Sequence, residues 1–189
     1  MKKVIVFFCL LVIAIPLMGQ EETLLGEDLE HGGFGGPVIK MTAINGDGAV
    51  MTGGRGGWIV NHSLVLGGGS YSMVNEFTSN GLDYDFDYSG LEMEYIGRPM
   101  DLFHYSAYLL VGRGDIRRQT DNGNLTDFLR SDGVFVMAPE VNAVANVSEH
   151  FHMALGVGYR LVNGVDVASL TDGDLSGLSA TLTFEFGKF

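Results

Sequence analysis

Three side chains in this sequence have the chemistry of a hydrolase. They are the carboxylate of Glu94, the imidazole of His104 and the hydroxyl of Ser106. His104 and Ser106 are two residues apart, so in a β-strand they share a face. If residues 97–101 form a tight turn, Glu94 lies opposite one of them on the preceding strand. The carboxylate could then orient the imidazole, and the imidazole could activate the hydroxyl as a nucleophile.

The elements that would position these residues are β-strands, and the segment 151–162 shows this most clearly. It alternates with a period of two, which is the period of a strand. In a soluble barrel the apolar face would fill the interior, whereas glycine with arginine suits the polar lumen of a membrane barrel whose outer face meets lipid. The apolar face holds Phe151, Met153, Leu155, Val157, Tyr159 and Leu161, and the opposite face holds His152, Ala154, Gly156, Gly158 and Arg160.

Similar segments recur from Pro37 to the C-terminus. They predict an all-β fold, an antiparallel up-and-down transmembrane barrel of about eight strands, although the pattern does not distinguish eight from ten. The polar links 75–82, 119–132 and 163–174 are long and alternate with short turns, as loops and turns do in membrane barrels. We expect aromatic girdles at both ends of the apolar belt: Trp58, Tyr95, Phe103, Phe151 and Phe186 near the short turns, and Tyr71, Tyr84 and Phe86 near the long links.

One of these strands changes phase along its length. Aromatic residues occupy alternate positions from Tyr84 to Tyr88, with aspartates between them, and apolar residues then follow in the opposite phase from Leu91 to Tyr95. An added residue at a glycine produces such a shift in a β-bulge. The sequence therefore predicts a bulge at Ser89–Gly90.

The N-terminal segment has the pattern of a secretory signal peptide over residues 1–19. Lys2 and Lys3 precede an apolar run, and a small residue, Gly19, offers a cleavage point. Residues 20–36 are acidic and then glycine-rich, so we expect a flexible lead-in before a barrel domain at 37–189. The sole cysteine, Cys9, lies in the predicted signal, so we expect a mature protein without disulfides or thiolate chemistry.

The charge balance is strongly acidic. The chain has 11 lysines and arginines against 23 aspartates and glutamates, a net charge of −12, which becomes −14 once Lys2 and Lys3 are removed with the signal. Nucleic acid is therefore excluded as an expected partner, since phosphate binding needs the opposite sign. The 28 glycines lie largely within the alternating segments, where a narrow inner wall needs small side chains.

The signal peptide, the alternating strands, the glycine-rich inner faces and the C-terminal aromatic run 183–189 together resemble the small eight-stranded outer-membrane β-barrel proteins of diderm bacteria. The resemblance implies a monomer in the outer membrane, surrounded by its lipid, whose last strand carries a phenylalanine read by the barrel-insertion machinery. Phe189 is out of phase with Phe184 and Phe186. The signal is therefore carried by Phe186, or a bulge lies near Gly187.

The inward positions of the predicted strands carry an almost balanced set of charges. Enclosed charges are costly unless they are paired, and a barrel of about eight strands has room for little beyond side chains. We therefore expect a polar network that fills the interior instead of an open pore, with a proton or ion path as the alternative. The predicted network comprises Lys40, Arg55, Glu92, Glu94, His104, Glu140, His152, Arg160 and Glu185.

The pair His104 and Ser106 also resembles the His-x-Ser of the outer-membrane lipid A deacylases, which implies a lipid-modifying hydrolase. Arg118 stands where that family has a glutamate, and by parity the pair faces the lumen instead of lipid. A hydrogen-bonded interior cluster is therefore favoured over a catalytic site. The aspartates 83, 85, 87, 121, 127 and 132 offer oxygen ligands for calcium but lack an EF-hand spacing, so we expect no metal and no cofactor.

The sequence thus predicts a non-enzymatic outer-membrane barrel with a structural or surface-interaction role, acting through external loops on an extracellular partner that it does not identify. A lipid-modifying hydrolase using His104 and Ser106 is the first alternative. The second is a soluble exported barrel of lipocalin type that binds a small apolar ligand.

Overall fold

The computed structural model describes residues 30–79, 82–119, 132–167 and 170–189, the side chains of residues 82, 118, 119 and 132 excepted. The predicted signal peptide and Asp121 and Asp127 of the candidate calcium site lie outside the described residues, as do the side chains of Arg118 and Asp132.

Nine strands and one short helix follow one another along the described chain. All neighbouring strands are antiparallel, in the order β3-β2-β1-β9-β8-β7-β6-β5-β4, and a pairing of β3 with β5 closes the sheet into an eight-stranded barrel. No helix in the described ranges is long and apolar enough to cross a membrane. The elements are β1 (His31–Ile44), β2 (Asp47–Val60), β3 (Leu64–Met73), β4 (Phe77–Ser79), β5 (Leu82–Gly97), β6 (Phe103–Gln119), β7 (Asp132–Ser148), β8 (Phe151–Asn163), α1 (Asp172–Leu175) and β9 (Gly177–Lys188).

The eight-stranded antiparallel barrel is confirmed. The ninth strand, β4, is not part of the wall that closes the barrel, because it pairs only with the start of β5. It lies in the predicted link 75–82, where Phe77 and Ser79 are buried and Thr78 is exposed. Three residues are too few to show a period of two, so the sequence pattern could not identify it.

The two ends of the barrel differ in their connections. Residues 61–63, 98–102 and 149–150 form the short turns of one end, where β1 also begins and β9 ends. We call this the short-turn end. The strand ends that the longer links 120–131 and 164–176 join lie at the opposite, loop end. The β4 hairpin and the tight turn Asn45–Gly46, whose residues have positive φ angles of 52° and 83°, lie there too.

The two faces of β8 are placed as the alternation predicts. Leu155 and Val157 point outward and are 64% and 68% exposed, whereas Ala154 and Arg160 are buried in the interior. Large apolar side chains are exposed on the outer face of other strands too, among them Leu91, Phe103 and Leu178. The barrel therefore carries an exposed apolar belt around a lumen that holds its charges.

β1 begins at His31, earlier than the predicted start at Pro37. Its first residues include four glycines, which have no side chain to reveal the alternation. A Cβ atom on Gly36 would overlap the carbonyl oxygen of Phe184 on β9, whereas one on Gly35 would meet nothing nearer than the carbonyl oxygen of Arg55 at 3.8 Å. Glycine at position 36 thus lets β1 approach β9 closely enough to close the barrel.

The predicted bulge at Ser89–Gly90 is wrong. The pairing of β5 with β6 runs without a shift from Asp83 to Gly97. The same face of β5 therefore points inward from Tyr84 and Phe86 to Glu92 and Glu94. Along this face the residues change from aromatic to charged, while the alternation of the backbone continues unchanged.

The aromatic girdle predicted near the long links is wrong for the same reason. Tyr71, Tyr84 and Phe86 are buried in the lumen. Near the loop end the outer face of β5 lies beyond the apolar belt and carries aspartates, while the aromatic residues fill the interior. Of the aromatics predicted near the short turns, Trp58, Tyr95, Phe103 and Phe186 are exposed on the outer face and Phe151 is half-buried.

Candidate functional site in the barrel lumen

The lumen is filled in layers that follow one another from the loop end to the short-turn end. The first is an apolar layer, in which side chains from most of the strands form one continuous core. Leu170 and Leu175, from the link between β8 and β9, are buried in it. This layer comprises Val38, Ile44, Ala49, Met51, Tyr71, Phe77, Tyr84, Phe86, Tyr88, Tyr108, Leu110, Ile116, Val134, Val136, Ala138 and Val162, with the two loop leucines.

Arg160 holds that link inside the mouth of the barrel. Its Nε atom donates a hydrogen bond of 2.8 Å to the carbonyl oxygen of Leu175, and its guanidinium lies over the rings of Phe86 and Tyr88, 5.5 and 5.9 Å from their centroids. In the described part of the chain no carboxylate is within ion-pair distance of Arg160. Arg160 therefore fastens the loop through a backbone carbonyl and does not take part in the salt bridges.

Below the apolar layer, Arg55 is the centre of a charged layer. Its guanidinium contacts Glu92 at 3.1 Å, Glu94 at 2.5 Å and Glu185 at 3.4 Å, so that one cation on β2 joins carboxylates on β5 and β9. Glu92 also accepts hydrogen bonds from the hydroxyl of Tyr108 at 2.6 Å and from that of Tyr71 at 3.0 Å. These charge-assisted bonds brace strands from different sides of the barrel.

A second ion pair adjoins the first. The Nζ atom of Lys40 lies 2.9 Å from Glu140, whose carboxylate also accepts a hydrogen bond of 2.6 Å from the hydroxyl of Thr181. Lys40 lies over the ring of Tyr71, 4.8 Å from its centroid, and the same ring bonds Glu92 through its hydroxyl. Tyr71 thus connects the two ion-pair centres.

All nine residues of the predicted interior network are buried, each less than a tenth exposed. The structure does not join them into one network. Arg55, Glu92, Glu94 and Glu185 form one centre and Lys40 and Glu140 another, while Arg160, His104 and His152 lie apart from both. Tyr71, Tyr108 and Thr181 were not among the predicted network residues, although their inward parity beside the charged positions could have indicated them.

The hydrolase candidate is not assembled by the strand register. Glu94 lies opposite Tyr108 and Ser106 lies opposite Ile96, because the pairing of β5 with β6 begins at Gly97 and Tyr105, with residues 98–104 between them. Glu94 is bound to Arg55. His104 Nδ1 lies 3.3 Å from the carbonyl oxygen of Asp101, and the Ser106 hydroxyl accepts a hydrogen bond of 3.1 Å from Asn142. The expected position of Glu94 opposite His104 or Ser106 is therefore wrong.

A pocket of about 330 Å³ opens at the short-turn end, and we call it the short-turn pocket. His104 and His152 line it, with their rings edge to face and their centroids 6.1 Å apart. The C-terminal Phe189 turns inward, where its ring stacks on His152 and on Phe34. Phe186, by contrast, is exposed on the outer face and stacks on Phe151. Within the described ranges, no cluster of three or more His, Cys, Asp or Glu residues is arranged to hold a metal ion.

No protein-family model matches the chain, and no curated protein is similar to it in sequence. Solved structures do resemble it. Neisserial surface protein A has a TM-score of 0.60 at 9% identity, covering 86% of this chain and 100% of the other. The fold is that of the small eight-stranded outer-membrane β-barrels.

Two further barrels agree with this finding. The N-terminal β-barrel domain of OprF from Pseudomonas aeruginosa has a TM-score of 0.54 at 10% identity and covers 82% of this chain and 96% of its own. Ail, the attachment invasion locus protein of Yersinia pestis, in complex with the heparin analogue sucrose octasulfate, has a TM-score of 0.53 at 14% identity, with 85% and 99% covered. At such low identity the likeness is one of fold alone.

We predict that Arg55→Met destabilises the barrel by about 3–5 kcal/mol, because three buried carboxylates lose their cation. Urea titration of the folded, heat-modifiable gel band in lipid vesicles measures this loss. Arg117→Met is the matched control: its salt bridge with Asp87 lies on the outer face, with Arg117 exposed, so we expect a loss of about 0–1 kcal/mol.

Adding Glu185→Gln to Arg55→Met should restore part of the stability, since one uncompensated charge is removed. Equal losses in the two arginine variants would contradict the central position of Arg55.

Proposed function

We propose that the chain is a monomeric outer-membrane barrel with a closed lumen, which acts without catalysis through the surface at its loop end. The observation that carries this proposal is the inverted arrangement of the barrel, with apolar side chains exposed outside and charges paired inside. A soluble lipocalin-type barrel would need the opposite arrangement and an empty apolar cavity, whereas here the apolar interior is packed with side chains.

The height of the apolar belt supports a position in a bilayer. On β6 the outward apolar positions run from Phe103 to Val111. Nine residues at about 3.3 Å each, inclined by about 40°, span about 23 Å, close to the roughly 25 Å apolar band of outer-membrane barrels. Beyond Val111 the same face carries Arg113, Asp115 and Arg117, which mark the limit of the belt at the loop end.

The connections support an orientation. Membrane barrels turn their short connections to the periplasm and their long loops to the outside. The strand ends at His31 and Lys188 also lie at the short-turn end, which in this orientation faces the periplasm. Phe186, on the outer face of the last strand, is then available to the insertion machinery, whereas Phe189 is turned inward.

The charge at the loop end favours a basic partner. Among the side chains that the structure describes there, nine are acidic and two, Arg113 and Arg117, are basic. Ail was solved with a sulfated heparin analogue, but such a polyanion is the opposite of what this surface attracts. The acidic residues are Asp47, Glu76, Asp83, Asp85, Asp87, Asp115, Asp166, Asp172 and Asp174.

The sole tryptophan tests the contact with lipid. Trp58 is 50% exposed on the outer face of β2, near the short turns. In vesicles made with phospholipids brominated along the acyl chain, we expect its fluorescence to be quenched most by bromine near the headgroup. In the double variant Trp58→Phe, Leu155→Trp, bromine deep in the chain should quench most, because Leu155 lies in mid-belt on β8. Quenching by aqueous iodide alone, in both proteins, would mean that the belt does not face lipid.

Because the lumen is closed, we predict that vesicles containing the protein retain their entrapped salt. Reconstituted protein should not release entrapped potassium, since the apolar layer and the loop fastened by Arg160 block the loop end. Arg160→Ala should raise the leak, because the Leu175 carbonyl loses its donor and α1 can leave the mouth. Arg113→Ala, an exposed arginine on the outer face, should not. A leak as fast in the unaltered protein as in Arg160→Ala would contradict the filled interior.

From the acidic charge of the loop-end surface, we predict that the protein binds polycations selectively. Zwitterionic vesicles carrying the barrel should bind polylysine and not heparin, with binding weakened at 0.5 M salt because exposed charges are then screened at about 4 Å. Replacing Asp83, Asp85 and Asp87 together by asparagine should reduce polylysine binding severalfold, whereas Glu149→Gln at the short-turn end should reduce it little. Preferential heparin binding, or equal effects of the two sets of changes, would overturn this assignment.

A further inference from the structure

The short-turn pocket has the size and shape of a small-molecule site. Its volume of about 330 Å³ is at the lower end of the range for ligand pockets. Much of its wall is apolar and includes Ile59, Ile96, Met100, Val144 and Phe189. It lies at the opposite end of the barrel from the loop surface discussed above.

The floor of the pocket is negatively charged. Glu94 and Glu185 line it, and both are bound to Arg55, which also holds Glu92. Three carboxylates therefore share one guanidinium, and none of the described lysines or arginines lines the pocket. Uncompensated charge in a buried site is costly, so a cation that enters the pocket would offset part of that cost.

The polar groups in the wall of the pocket include acceptors that are suited to a hydrogen-bond donor. The Asn146 amide nitrogen donates hydrogen bonds of 3.0 Å to the carbonyl oxygens of Pro99 and Asp101, while its Oδ1 atom is buried and has no partner among the described residues. His104 Nδ1 lies 3.3 Å from the carbonyl oxygen of Asp101. In the neutral ring Nδ1 is then the donor, which leaves Nε2 as an acceptor. The imidazole of His104 lines the same pocket as Glu94 and Glu185, and acceptors of this kind are complementary to the N–H donors of a cation.

From this geometry we propose that the short-turn pocket binds a small organic cation, an ammonium or amidinium group on a compact apolar body. The charged group faces Glu94 and Glu185, and the apolar body lies between Val144, Ile59 and the ring of Phe189. Among the chain's own segments, residues 20–30 hold only acidic charged side chains, so this segment is not a suitable occupant.

The test uses the refolded protein in zwitterionic detergent micelles, with benzylammonium as the probe and benzyl alcohol as its neutral counterpart. Calorimetric titration should show saturable binding of benzylammonium and at least tenfold weaker binding of benzyl alcohol. Glu185→Gln should weaken benzylammonium binding roughly tenfold, equivalent to about 1.4 kcal/mol. Glu140→Gln is the matched control, since Glu140 is equally buried but does not line the pocket.

A second variant, Val144→Trp, fills the pocket without changing its charge and should abolish binding. It keeps the test decisive if Glu185→Gln does not fold. Equal binding of the two probes would show an apolar cavity without charge selection, and binding unchanged in Val144→Trp would show partition into the micelle. Absence of saturable binding would show that protons or water alone compensate the carboxylates. Each of these three results overturns the proposal.

Discussion

The lumen depends on one buried guanidinium. Arg55 projects from a stretch of β2 that is otherwise glycine, and it reaches carboxylates on two other strands. Burying those carboxylates without the guanidinium, or the guanidinium without the carboxylates, would leave an unpaired charge inside the barrel, which is costly. Gly53 and Gly57 share the face of Arg55 and let β2 approach β3, because a Cβ atom on Gly53 would overlap the carbonyl oxygen of Ser70 and one on Gly57 would overlap the side chain of Val65. Charge pairing and small residues on the inner face therefore both help eight strands to close around a filled interior.

The fold was predictable where one face is apolar along the whole strand. β8 and the central part of β6 alternate cleanly, and their faces lie as the pattern indicates. Prediction failed where the environment of the faces changes along a strand. Along β5 the outer face is apolar in the belt and charged near the loop end. There the side chains of Tyr84 and Phe86 point into the lumen, although the strand has no bulge. A change of surroundings and a change of register give the same sequence pattern.

The sequence pattern predicted which residues point into the lumen, but not which groups they bind there. Parity placed Arg55 and the glutamates inside, yet it could not tell that Arg160 binds the Leu175 carbonyl or that Tyr71 and Tyr108 bind Glu92. Partners across a barrel depend on the register between strands, and the pairing of β5 with β6 begins at Gly97 and Tyr105, which puts Glu94 opposite Tyr108 and not opposite His104 or Ser106. The glycine-rich start of β1 was hidden for another reason, because glycine has no side chain to mark the alternation.

The two ends of the lumen are closed by different means. At the loop end, leucines of the β8–β9 link are packed into the apolar layer and fastened by Arg160, so entry there requires the loop to leave. At the short-turn end a single ring, Phe189, stacks over His152, beside a pocket that reaches the carboxylates of the charged layer. A small molecule can therefore approach the charged layer from the short-turn end and no further, since Arg55 and its three glutamates lie across the barrel. The interaction that stabilises the lumen is also what limits access to it.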